Sequence, residues 1–80
     1  MSERSRLRWR CRRGTQELDT ILGRFLDAGY DSLDESGARA FDRLLECEDD
    51  DLIDWFLNAH EPSDPALRAI VVAVRQASGV

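Results

Sequence analysis

The chain has 80 residues, enough for one domain that buries about 60% of the surface its unfolded form exposes. With 42% hydrophobic and 34% charged residues it is too apolar for a disordered segment, and no apolar run nears the ~18 residues of a bilayer-spanning helix. The formal net charge of −5 is split: residues 1–13 carry six arginines against Glu3, a balance of +5, whereas residues 14–80 carry five arginines against fifteen acids, a balance of −10.

Leu7 and Cys11 stand one helical turn apart among arginines, which predicts a short first helix over residues 5–12 with a narrow apolar stripe. Gly14 ends it. Thr15 is placed to cap a second helix, whose Leu18, Ile21, Leu22, Phe25 and Leu26 follow the i, i+3, i+4, i+7, i+8 spacing of a core-facing stripe. Gly29 then occupies the position where a left-handed residue commonly closes a helix.

After a connection over residues 30–33, either Ser32, with Glu35 three residues on, or Asp34 is able to cap a third helix. It is expected to run to about Cys47, with Ala38, Phe41, Leu44 and Leu45 inward and Arg39, Asp42, Arg43 and Glu46 in water. The acids at 48–51 lack the alternating ligands and the glycine of a calcium loop; they suit a helix N-terminus, with Asp49 as cap. The fourth helix that follows, with Leu52, Ile53, Trp55, Phe56 and Leu57, is apolar nearly all round and is expected to be the most buried. Pro62 breaks the chain, and Ser63 or Asp64 caps a fifth helix with Pro65 in its first turn and Leu67, Ile70, Val71 and Val74 inward. The fold class is therefore all-α, a compact bundle of five short helices forming one domain over residues 1–80.

Catalytic chemistry has little to work with. One histidine, His60, two separated cysteines and no lysine supply few groups tunable near neutral pH, and there is no phosphate loop, nucleophile elbow or metal-ligand spacing. No enzymatic activity and no metal site are expected, and Cys11 and Cys47 read as small buried thiols. Without a signal peptide or a membrane span, a cytoplasmic protein, monomeric and not inserted in membrane, is expected.

The run Arg8-Trp9-Arg10-Cys11-Arg12-Arg13 interleaves cations with an aromatic, as a nucleic-acid surface does, but the ten net negative charges beyond it repel a polyanion. A protein partner is favoured over nucleic acid. Alternatively, these side chains cover the acidic body of their own domain. The adjoining RGTQE at residues 13–17 has two readings as well. Gly14 is a turn residue with Arg13 and Glu17 forming an i, i+4 pair, or it is an exposed corner flanked by a cation and an anion that bond a partner. Spacing alone favours the first.

The segments RWRCRRGTQELD at 8–19 and FDRLLECEDDDLIDWF at 41–56, followed by a proline before the last helix, resemble the succinate dehydrogenase FAD assembly factor family (SdhE) over about residues 6–75. That family's RGxxE motif falls on Arg13, Gly14 and Glu17. The resemblance implies a five-helix bundle that binds the flavoprotein subunit of succinate dehydrogenase, and often of fumarate reductase, and promotes covalent attachment of FAD to a histidine of that partner. FAD would belong to the partner, with no cofactor held stably by this chain. Arg13, Gly14 and Glu17 would meet the partner, with Arg8, Trp9, Arg10 and Arg12 extending the patch. The family has also been described as the antitoxin half of a toxin–antitoxin pair, which the same bundle would serve as an interaction module.

Overall fold

Ser2 opens the first helix, α1 (Glu3–Arg10), by accepting a hydrogen bond from the Ser5 amide on its hydroxyl, in a computed structural model that describes residues 2–79. Basic side chains fill the last turn of α1, where they meet the negative end of its dipole. A short link leads into α2 (Gln16–Ala28), then a 3-10 turn at Tyr30–Ser32, α3 (Glu35–Leu45), α4 (Asp49–Phe56) and α5 (Pro65–Ser78). Asp34 caps α3 through the Gly37 amide. Asp64 caps α5 through the amides of Ala66 and Leu67, and Gly79, at φ 76°, closes it in the left-handed conformation.

The expected all-α fold is present, and its core lies among α2, α3 and α5. The α2 stripe Leu18, Ile21, Leu22, Phe25 and Leu26 is entirely buried. It meets Phe41 and Leu44 of α3 and Ile70, Val71 and Val74 of α5 in one cluster. Phe41 sits between two rings, with centroids 5.1 Å from Phe25 and 5.6 Å from Tyr30. Leu7 and Cys11 bring α1 onto α2, while Leu52 and Phe56 bring α4 to the same core. Among the described residues no helix is long and apolar enough to cross a membrane.

Several local expectations are corrected. α1 ends at Arg10 and α3 at Leu45, each about one half-turn early, because single tightening turns finish them. Gly29 has φ −124°, so left-handed closure is not its task; a Cβ there would lie 2.7 Å from the Phe25 ring, and glycine is needed for space. Glu48, not Asp49, is the residue before α4, and it makes no side-chain cap. Ala38 is only half-buried, and Ala40 takes the core position of that face. Nor is α4 the most buried helix: Ile53 and Trp55 are half-buried and Leu57 is exposed. Two turns of helix dock chiefly by the edge that carries Leu52 and Phe56, so that Ile53 and Trp55 pack against the core only in part. Cys47 is likewise half-buried, unlike Cys11.

Candidate functional site

The link from α1 to α2 is built around two neighbours that face opposite ways. Gly14 has φ 85°, a left-handed conformation that L side chains rarely adopt, and a Cβ built on it meets nothing within 4 Å. The turn therefore presents bare backbone to solvent. Arg13 is folded back beneath it, with its side chain only 16% exposed. Its Nε donates to Asp49 Oδ1 at 2.9 Å, Nη1 to the carbonyls of Leu45 at 2.8 Å and Arg10 at 3.3 Å, and Nη2 to the Cys47 carbonyl at 2.7 Å. One guanidinium thus satisfies carbonyls at the ends of α1 and α3 and pins the first residue of α4. Its own amide donates to Asp19 of α2.

An Arg13–Glu17 pair consequently does not form. Glu17 stands exposed in the first turn of α2, where the positive end of the helix dipole favours a carboxylate, and it has no ion-pair partner among the described residues. Beside it a shallow groove is lined by Gln16, Thr20, Ile21 and Leu57. Leu57, 45% exposed, carried no signal for this position, since in the sequence it continues an apolar run that reads as core.

Most of the basic patch is spent within the chain. Arg4 pairs with Asp31, Arg8 with Asp27 and Arg10 with Asp42, so that α1 grips the 3-10 turn, α2 and α3 in succession. Arg4 also donates to the Leu26 carbonyl at 2.7 Å and Arg10 to that of Asp42 at 3.1 Å. Trp9 is the contrary case, 71% exposed with the Arg12 guanidinium 5.9 Å from its ring centroid. Of the seven residues singled out in the sequence, Trp9, Arg12, Gly14 and Glu17 are exposed, Arg12 and Trp9 meeting each other's side chains, whereas Arg8, Arg10 and Arg13 are bonded to acids and carbonyls of other elements. Of the acids that hold them, Asp42 was expected in water and Asp49 as a helix cap, and Asp27 was not singled out; the opposed charge of the basic N-terminal segment and the acidic remainder was the only signal of their pairing.

The thiols and the histidine lie outside this arrangement. Burial pushes the Cys11 thiol up to about 11, more than the neighbouring Arg8, Arg13 and Arg10 offset, so it stays protonated and inert at neutral pH. Burial raises Cys47 as well. His60 places Nδ1 3.0 Å from Asp54 in an exposed turn after α4. Among the described residues no group of three His, Cys, Asp or Glu side chains is arranged to hold a metal ion.

A small all-helical protein that carries a bare glycine turn, an exposed carboxylate and an exposed tryptophan near one helix junction belongs to the class whose surface chemistry suits docking. The family profile described as "Sdh5: Flavinator of succinate dehydrogenase" matches residues 5–78, and the chain belongs to that family. Relatives bearing the name FAD assembly factor SdhE include one from Yersinia pseudotuberculosis, 41% identical over 75 residues covering 94% of this chain and 85% of the relative. One from Methylococcus capsulatus is 42% identical over 79 residues, 99% of this chain and 95% of the relative. One from Shewanella oneidensis is 45% identical over 71 residues, 89% and 87% of the two chains.

Proposed function

We propose that this chain is an assembly factor that docks on the flavoprotein subunit of succinate dehydrogenase and promotes covalent attachment of FAD to it, the Gly14 corner making the contact. The observation that carries this reading is the conjunction, at the family's motif, of left-handed exposed backbone at Gly14 with an unpaired Glu17. A flat turn admits a partner backbone closely, and a carboxylate beside it supplies one directional bond at little desolvation cost while it remains at the rim. Trp9 and Arg12, exposed just before the corner in the chain, add residue types that commonly dominate binding energy.

The chain does not need an acid, a base or a nucleophile for this task. Holding the partner's histidine nitrogen against the flavin's 8α-methyl carbon converts a rare encounter into a standing geometry, and orientation alone supplies several kcal/mol (roughly 7 or more in favourable cases). The requirement is differential affinity: the chain must bind the attachment-competent arrangement of the flavoprotein more tightly than the others, since equal affinity shifts no population. Arg13 serves by fixing the corner from below. Arg8 and Arg10 serve by fixing α1, which carries Trp9. Fumarate reductase's flavoprotein is a second client on this reading, FAD stays with the partner, and the chain works as a cytoplasmic monomer.

Co-expression tests the proposal. The flavoprotein subunit is produced with and without this chain, and protein-bound flavin fluorescence is read on a denaturing gel. Strong fluorescence only in the presence of the chain is the expected result; equal fluorescence in both lanes would remove the assembly role.

A further inference from the structure

We propose that the groove between the first turn of α2 and the end of α4 receives an arginine side chain of the flavoprotein subunit, an inference that rests on the assembly-factor reading and assigns a specific chemistry to one part of it. The groove is lined by Gln16, Glu17, Thr20, Ile21 and Leu57. Its lining is of two kinds. Leu57 and the otherwise buried Ile21 are apolar, while Gln16, Glu17 and Thr20 are residues whose side chains carry hydrogen-bond acceptors.

Leu57 is held where it is. Its amide donates to the Ile53 carbonyl at 2.8 Å, the Asn58 amide donates to the same carbonyl at 3.2 Å, and the His60 amide reaches Asp54 at 3.1 Å. The Asp54 carboxylate further accepts from the Asn58 side chain at 3.1 Å, and Ala59 takes the strained left-handed φ of 61° that completes the turn. A turn tied this way holds Leu57 in place with its side chain exposed.

Charge decides the occupant. An apolar or acidic group entering the groove would desolvate Glu17 without compensation, whereas a cation completes it. Among the described residues no cation of this chain pairs with Glu17: Arg13 of the same motif is committed to Asp49 and the ends of α1 and α3, and Arg24, two turns along α2, donates to the Ser78 carbonyl at 3.5 Å. An arginine fits better than a lysine: its aliphatic stem lies along Leu57 and Ile21, and its planar fork reaches several acceptors at once.

The test measures affinity of the purified chain for the flavoprotein subunit before FAD is attached. Leu57→Arg sets an intramolecular guanidinium over Glu17 and is expected to weaken binding about ten-fold, the size of one charge-assisted contact, with unchanged helical circular dichroism. Leu57→Ala gives a smaller loss and decides the matter should the arginine variant misfold. Glu17→Gln is expected to flatten the salt dependence of binding by about one ion pair. Wild-type affinity for both Leu57 variants beside a defective Gly14→Arg overturns the groove and leaves the corner standing; wild-type affinity for all of them removes both. Full salt dependence in Glu17→Gln overturns the cation. A dimer of the chain alone that Leu57→Arg dissolves would assign the groove to a second copy and overturn the proposal.

Discussion

At Gly14 the positive φ and the empty space beyond it separate conformation from contact. An arginine introduced there meets no atom of its own domain and bears a backbone strain of about 1–2 kcal/mol, so the bundle persists while the corner becomes bulky and cationic. Gly14→Arg is therefore expected to abolish FAD attachment in co-expression with a nearly native helical signal. Arg13 has the opposite expectation. Removing its guanidinium strips the Leu45 and Cys47 carbonyls of their donor and releases Asp49, so Arg13→Ala should lower stability by about 2–3 kcal/mol in urea melts. Arg13→Lys should recover only part of that loss, because one ammonium cannot reproduce the fork. The motif's two readings thus divide between its residues: the first arginine is an internal staple, and the glycine and glutamate face outward.

Helix α1 is attached to the bundle differently from the rest. Its apolar grip is limited to Leu7 and the capping Cys11, and its remaining anchors are ion pairs between half-exposed side chains, each worth about 1 kcal/mol or less and screened by salt, with two arginine hydrogen bonds to the carbonyls of Leu26 and Asp42. Amide protection in α1 is expected to be lower than in α2 and to fall further as salt is raised toward ~1 M, while α2 changes little; equal protection in both helices at all salt concentrations would contradict this. Helix α5 depends on acid. Arg43, with the Leu67 amide, holds the Asp64 carboxyl below the usual carboxylate range, and His60, with Asn58, does the same for Asp54. A carboxyl whose pKa falls on folding lends stability above its unfolded value near ~4 and loses it as pH drops through the folded value. Thermal stability should accordingly be flat from neutral pH to about 5 and decline below about 4, and Asp64→Asn should lessen that decline.

At the scale of the whole molecule, one small core joins α2, α3 and α5, and a domain of this size has little stability in reserve. Phe41, fully buried between Phe25 and Tyr30, is its centre. Phe41→Ala is expected to cost about 3–5 kcal/mol, enough to leave much of the chain unfolded at room temperature, which a circular dichroism melt reads directly. Loss of flavin attachment in that variant would report the fold and not the corner, so the two classes of substitution are separable by helical signal alone.

Helical periodicity, caps and breakers made all five helices legible in the sequence, because each depends on residues within a turn or two of one another. The α2 stripe, the Asp64 cap and Pro65 at the start of α5 are all of this local kind. The commitment of Arg13 to Asp49 was not legible, for it is fixed by an element 36 residues along the chain; the exposure of Leu57 and the spatial duty of Gly29 depend on how side chains pack, which residue spacing does not show. The same division holds for the candidate site. Residue types and the glycine turn were written in the RGTQE segment, but which charges remain free is settled only when α1 comes to lie on an acidic body and exhausts most of its arginines there. Local spacing is enough to choose a helix; long-range charge pairing needs the helices already packed.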